Sequence, residues 1–118
     1  MSRGDAQGRL PEQALLDILG LAVRARAVIM GTDAVRGGIR KDEVRFVLLA
    51  GDASPTQQRK LIPLLEARGI PYRVLLTRER IGAAAGKGPV SAVGIKNQSF
   101  AVRAAELSDA FTSPQEQV

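Results

Sequence analysis

The 118-residue sequence contains no histidine and no cysteine. Without them no Cys/His zinc site, iron–sulfur cluster, thiol nucleophile, disulfide framework or imidazole base can be assembled, because each requires a residue type the chain lacks. Carboxylate and lysine chemistry stay open. Aromatics are almost as scarce, amounting to Phe46, Tyr72, Phe100 and Phe111, so the core must be aliphatic. No apolar run approaches the roughly 18 residues needed to cross a bilayer, and Met1 to Arg9 is polar with no signal-peptide apolar segment. A cytoplasmic location with no membrane association is the expectation.

What the chain does contain is enough for one domain, burying roughly two-thirds of its unfolded surface. A hydrophobic content of 45% and a mean hydropathy of -0.01 argue against global disorder. The net charge is +5 and the sequence pI about 10.4, which favours polyanionic partners. That charge is uneven. From Arg24 to Lys87 there are 13 basic residues against 6 acidic, a net of +7, and the remainder of the chain nets −2.

Hydrophobic spacing alternates between helical and extended periods. Pro11 suits a first helical position, and Leu15, Leu19, Ala22 and Val23 form an amphipathic stripe, predicting a helix over 11–25. Ala27 to Met30 reads as a short strand closed by Gly31. Thr32 is placed to cap a second helix carrying Val35 and Ile39, weakened by Gly37 and Gly38, which each cost about 0.5–1 kcal/mol relative to alanine. Arg45 to Ala50 is a continuous apolar run, the pattern of a strand covered on both faces. Ser54, Pro55 and Gln57 give the clearest helix start, with a stop at Gly69 and a kink expected near Pro63. Ile70 to Thr77 reads as a strand, Thr77 as the cap of a short helix through Ala85, and Ala92 to Lys96 as the last strand. Phe100, Ala104, Leu107 and Phe111 stripe a final helix. The order predicts an α/β fold, a three-layer α/β/α sandwich around a small mixed four-stranded sheet, with a single domain over 10–111 and frayed ends at 1–9 and 112–118.

Few segments suggest chemistry. Gly82 to Lys87 (GAAAGK) has three residues between its glycines where a phosphate loop needs four, and Gly88 follows the lysine in place of Ser or Thr. The segment remains a turn in which Gly86, Gly88 and Pro89 let backbone approach a ligand, with Lys87 supplying charge. Asp52 ends a buried strand without a partner at motif spacing and reads as a turn residue. No catalytic residue, metal site or cofactor is expected.

The ordered set Leu19-Gly20-Leu21-Ala22 with Arg24-Ala25, Gly31-Thr32, Val47 to Ser54 (VLLAGDAS), Ile70-Pro71-Tyr72, Ile81-Gly82 with Ala85-Gly86-Lys87, and Ala92 to Lys96 resembles the L7Ae/L30e family of ribosomal and kink-turn RNA-binding proteins, in its small bacterial YlxQ-type branch. The resemblance implies a non-enzymatic fold that holds RNA at the helix start beginning with Gly31 and at the turn from Lys87 to Ala92. The implied RNA-binding residues are Gly31, Thr32, Asp33, Arg36, Arg40, Lys87, Pro89 and Val90. Arg36, Arg40 and Lys87 would meet phosphates, while Pro89 and Val90 would meet an unstacked base. Structured RNA, ribosomal or kink-turn-like, is the implied partner, alongside ribosomal or translation-related proteins.

Where kink-turn readers carry Asn-Glu and, after two intervening residues, Lys, this chain has Asp33, Ala34 and Gly37. Ionised Asp33 cannot donate a hydrogen bond, Ala34 cannot accept one, and Gly37 carries no charge. Many bacterial relatives also have Gly-Lys at the positions of Arg26-Ala27. An alternative reading is therefore a protein-interaction or assembly module of the same fold.

Overall fold

The computed structural model describes residues 10–116, with side chains through Phe111. Helices and strands alternate as α1 (Pro11–Arg24), β1 (Val28–Met30), α2 (Thr32–Arg40), β2 (Phe46–Leu49), α3 (Pro55–Arg68), β3 (Tyr72–Val74), α4 (Arg78–Ala84), β4 (Ala92–Ile95) and α5 (Gln98–Glu116). The four strands form one sheet in the order β1-β4-β2-β3. β2 and β3 run parallel, whereas β4 is antiparallel to both β1 and β2. The mixed sheet and the alternating order are those the sequence predicts.

Burial follows strand position. β2 and β4 are buried at every residue, while the edge strands β1 and β3 are only partly covered. Helix α2 packs on α3, and α1 packs on α5 and α4, giving two helical layers with the sheet between them. The core is aliphatic apart from fully buried Phe46, with Leu15, Leu19, Ile39, Leu48 and Leu61 among its largest members. Tyr72 and Phe100 only partly join it.

Local chemistry explains the boundaries. At the start of α3 the Ser54 hydroxyl accepts the Gln57 N–H at 3.1 Å and the Gln57 side chain accepts the Ser54 N–H at 3.2 Å, a complete capping box. Gly69, at φ 68°, ends the same helix in the left-handed conformation. Helix α3 nevertheless continues through Pro63. That proline is exposed, so the carbonyl four residues earlier loses its partner on a face open to water.

The structure departs from expectation at three further places. Gly31, not Thr32, is the N-cap of α2. Its N–H bonds to the Ala92 carbonyl at 2.9 Å, holding it in strand register, and the chain then turns into the helix at φ 102°, a conformation that a β-branched threonine resists. Strand β3 is shorter at both ends than Ile70–Thr77, and at its C-terminal end Leu76 adopts φ 66° and carries the chain out of the ladder. Helix α5 extends beyond the apolar stripe that closes at Phe111, to Glu116, and residues 1–9 and 117–118 lie outside the described residues. The weakness of α2 has a structural counterpart. A Cβ on Gly38 would lie 2.5 Å from the end of Ile29 and 3.1 Å from Val44, so the glycine lets the helix lie close against β1.

Exposed Arg26 sits at φ 58°, where an L-residue costs about 1–2 kcal/mol and glycine does not. Arg26→Gly should raise the unfolding free energy by about 0.5–1 kcal/mol in urea titration, once glycine's greater unfolded-state freedom is deducted. Separately, the Tyr72 hydroxyl donates to Glu66 at 2.7 Å, and this bond, assisted by burial and the carboxylate's charge, raises the phenol above its ordinary 10.0. The folded-state value exceeds the unfolded one, so the stabilisation is complete below pH about 10 and fades as pH rises through the raised value. Tyr72→Phe should accordingly show a shallower alkaline fall in thermal midpoint than the parent.

Candidate nucleic-acid interface

The first part of the site is the start of α2. The first bond within this helix runs from the Val35 N–H to the Gly31 carbonyl, at 2.9 Å, so the N–H groups of Thr32, Asp33 and Ala34 stand at its positive end without helical acceptors. The Thr32 hydroxyl oxygen is enclosed and has no hydrogen-bond partner among the described residues. Asp33 and Ala34 are exposed.

The second part is the segment between α4 and β4. Gly86, at φ 73°, turns the chain away from α4, and the Lys87 N–H returns to the Gly82 carbonyl at 2.8 Å. Val90 donates its N–H to Arg78 at 3.0 Å, and the Ser91 carbonyl accepts from Ala50 at 2.8 Å. Gly82 makes this geometry possible, since a Cβ there would lie 1.9 Å from the Gly88 carbonyl oxygen. The turn therefore rests directly on the backbone of α4. It also follows the carbonyl-bearing end of that helix, whereas a phosphate loop precedes an N–H-bearing end, which disposes of the nucleotide-loop reading physically.

The third part comes from α3, which the sequence reading did not include. Gln57 Oε1 accepts from the Ser91 hydroxyl at 2.9 Å as well as from Ser54, tying the cap of α3 to the end of the turn. Lys60, on the next turn of α3, reaches Asp33 at 3.2 Å. The sequence holds both residues in plain view, but nothing in it shows that positions 27 and 34 residues apart meet.

These parts enclose an open pocket of about 410 Å³. It brings together Gly31, Thr32, Asp33, Lys87, Pro89 and Val90 of the expected residues, and adds Met30, Gln57, Lys60 and Ser91. Pro89 is exposed, whereas Val90 belongs mostly to the core with 9% of its surface accessible, so the apolar platform is chiefly the proline. Arg36 and Arg40 lie elsewhere, lining a neighbouring groove between α2 and α3 together with Arg59 and Lys60.

Asp52, the strand-end carboxylate, has a structural role. One oxygen accepts the Arg78 N–H at 2.8 Å at the start of α4, and the other lies 3.6 Å from the Arg78 guanidinium. Among the described residues no group of three or more His, Cys, Asp or Glu side chains is placed to hold a metal ion, and no helix is long and apolar enough to cross a membrane.

The sequence profile of the ribosomal protein L7Ae/L30e/S12e/Gadd45 family matches residues 13–104. The chain belongs to that family. It is 35% identical over 92 residues to the RNA-binding protein YlxQ of Bacillus subtilis, spanning 78% of this chain and 92% of that protein. It is 34% identical over 91 residues to the H/ACA ribonucleoprotein complex subunit 2-like protein of Xenopus laevis, covering 75% of this chain and 61% of the relative. Among solved structures, a protein of unknown function from Bacillus halodurans superposes with a TM-score of 0.78 at 33% identity, covering 80% of this chain and 96% of the other.

Within this family member, Gly82 sets the position of the turn. Gly82→Ala should push the Lys87–Gly88 backbone away from α4, costing about 1–3 kcal/mol as an overpacked contact. Amide chemical shifts and exchange rates should change chiefly between Gly86 and Ser91; unchanged spectra there would show that the turn does not depend on this contact.

Proposed function

We propose that this protein is a non-catalytic RNA-binding protein of the ribosomal-protein type, acting in the cytoplasm on structured RNA, ribosomal or kink-turn-like. The observation that carries this reading is the convergence of an N–H-bearing helix start, a backbone-pinned Gly/Pro turn and lysines from two elements on one open pocket. The names of its relatives as RNA-binding and ribonucleoprotein proteins support it. In this reading the amides of Thr32 to Ala34 and the cations of Lys87, Arg36 and Arg40 take phosphates. The exposed face of Pro89 takes an unstacked base, and the enclosed Thr32 hydroxyl gains a partner. With Asp33, Ala34 and Gly37 in place of polar readers, shape and phosphate contacts outweigh base-edge contacts.

The same three residues favour a second reading, an assembly module that keeps the sandwich and binds ribosomal or translation-related proteins without RNA. Partners retained after nuclease treatment of an extract would support it, and loss of all partners would exclude it.

RNA binding should weaken linearly on a log–log plot against salt, with a slope of about −0.7 to −0.9 per phosphate neutralised. The probes are a fluorescein-labelled bulged RNA hairpin, a kink-turn RNA and a blunt RNA duplex. Replacing Arg36, Arg40 and Lys87 together by alanine should lower affinity for the structured RNAs and leave the thermal midpoint nearly unchanged. Equal affinity of the triple variant and the parent would reject the site.

A further inference from the structure

The groove between α2 and α3 has a volume of about 600 Å³ and is lined by Arg36 and Arg40 from one helix and Arg59 and Lys60 from the other, over Pro63 and Leu64. No carboxylate lines it. Arg36 and Arg40 are four residues apart and so share one face of α2. Among the described residues Arg36, Arg40 and Arg59 have no ion-pair partner, which leaves their charge unspent. Lys60 belongs to both concavities, facing this groove and also the pocket at Asp33 and Pro89. Its ammonium lies 3.2 Å from the Asp33 carboxylate, with 42% and 82% of the two side chains exposed, a pair that water and salt screen and a phosphate can displace.

We propose that the α2–α3 groove is a second phosphate track continuous with the pocket, in which Arg59 and Lys60 of α3 supply the positive charge that α2 lacks at Gly37. Lys60 is the link. In the free protein it neutralises Asp33, removing the repulsion that this carboxylate would exert on an approaching backbone. In the complex it contacts phosphate where the chain of the RNA leaves the pocket and enters the groove. The proposal rests on the RNA-binding reading and extends it from one pocket to a path across two helices.

The test uses the full chain and the bulged RNA hairpin, with affinity measured by fluorescence anisotropy across a salt series. If each side chain neutralises one phosphate, Arg59→Ala with Lys60→Ala should reduce the log–log slope by about 1.4–1.8 and the affinity by roughly ten- to fifty-fold near 0.1 M salt. Both residues are exposed, so the thermal midpoint serves as the control for folding. Asp33→Asn should tighten binding by removing the carboxylate. In the Asp33→Asn background, Lys60→Ala should still weaken binding, though less than in the parent. If Lys60→Ala has no effect in that background, Lys60 only masks Asp33 and the phosphate contact is overturned. If the Arg36/Arg40/Lys87 triple variant loses affinity while the Arg59/Lys60 double variant does not, the track across α3 is wrong and the RNA-binding reading stands. If the parent binds none of the RNAs, the RNA-binding reading itself fails.

Discussion

The candidate RNA face depends on β4 lying between β1 and β2. Because β4 is hydrogen-bonded on both edges and buried at every residue, it fixes two otherwise unrelated pieces of chain against each other. On one side Gly31 donates to the carbonyl of Ala92 and then turns into α2; on the other, Ala50 donates to the carbonyl of Ser91, the last residue of the Gly/Pro turn. A helix start and a turn nearly sixty residues later are thus held by consecutive carbonyls, that of Ser91 at the end of the turn and that of Ala92 at the start of β4. Backbone groups placed this way need little reordering on binding, so less conformational entropy is lost when a ligand arrives.

Close contacts at glycines complete the arrangement. Gly38 lets α2 approach β1, and Gly82 lets the turn rest on α4, where any side chain would collide with the Gly88 carbonyl. These glycines weaken their helices as isolated segments, and the tertiary packing makes up the loss. At the same face, the chemistry is less specific than the geometry. Asp33, Ala34 and Gly37 offer little with which to read base edges, whereas the charge of the surrounding arginines and lysines is of a kind that meets phosphate irrespective of sequence. In the proposed reading, that balance selects an RNA by its shape.

Much of the fold was legible along the chain. The apolar run at Phe46–Leu49 marked a doubly covered strand, and Ser54, Pro55 and Gln57 marked the start of α3 to the residue, because capping chemistry is local. Thr32 misled for a related reason. It has the right side chain for a cap, but the strand bond made by Gly31 moves the boundary by one residue. Leu76 similarly gave no warning of its left-handed backbone, whose carbonyl accepts from the Gly51 N–H of a distant loop. The pocket was half legible. Gly31 to Asp33 and Lys87 to Val90 could be marked by turn chemistry and family resemblance, but Gln57 and Lys60 looked like a helix cap and a solvated lysine until the fold set them beside Ser91 and Asp33.

By itself the sequence determined the class of chemistry, since a chain without histidine or cysteine and with its positive charge gathered between Arg24 and Lys87 is suited to polyanions and closed to thiol, imidazole and Cys/His metal sites. It also determined the element order and the aliphatic core, because periodicity, caps and breakers act over a few residues. Only the tertiary structure decided which charges share a surface. It put Arg36 and Arg40 in the groove with Arg59 and not in the pocket with Lys87, and it paired Asp33 with Lys60. Those outcomes follow from strand order and helix packing, which bring together residues whose separation in sequence carries no information about their distance in space.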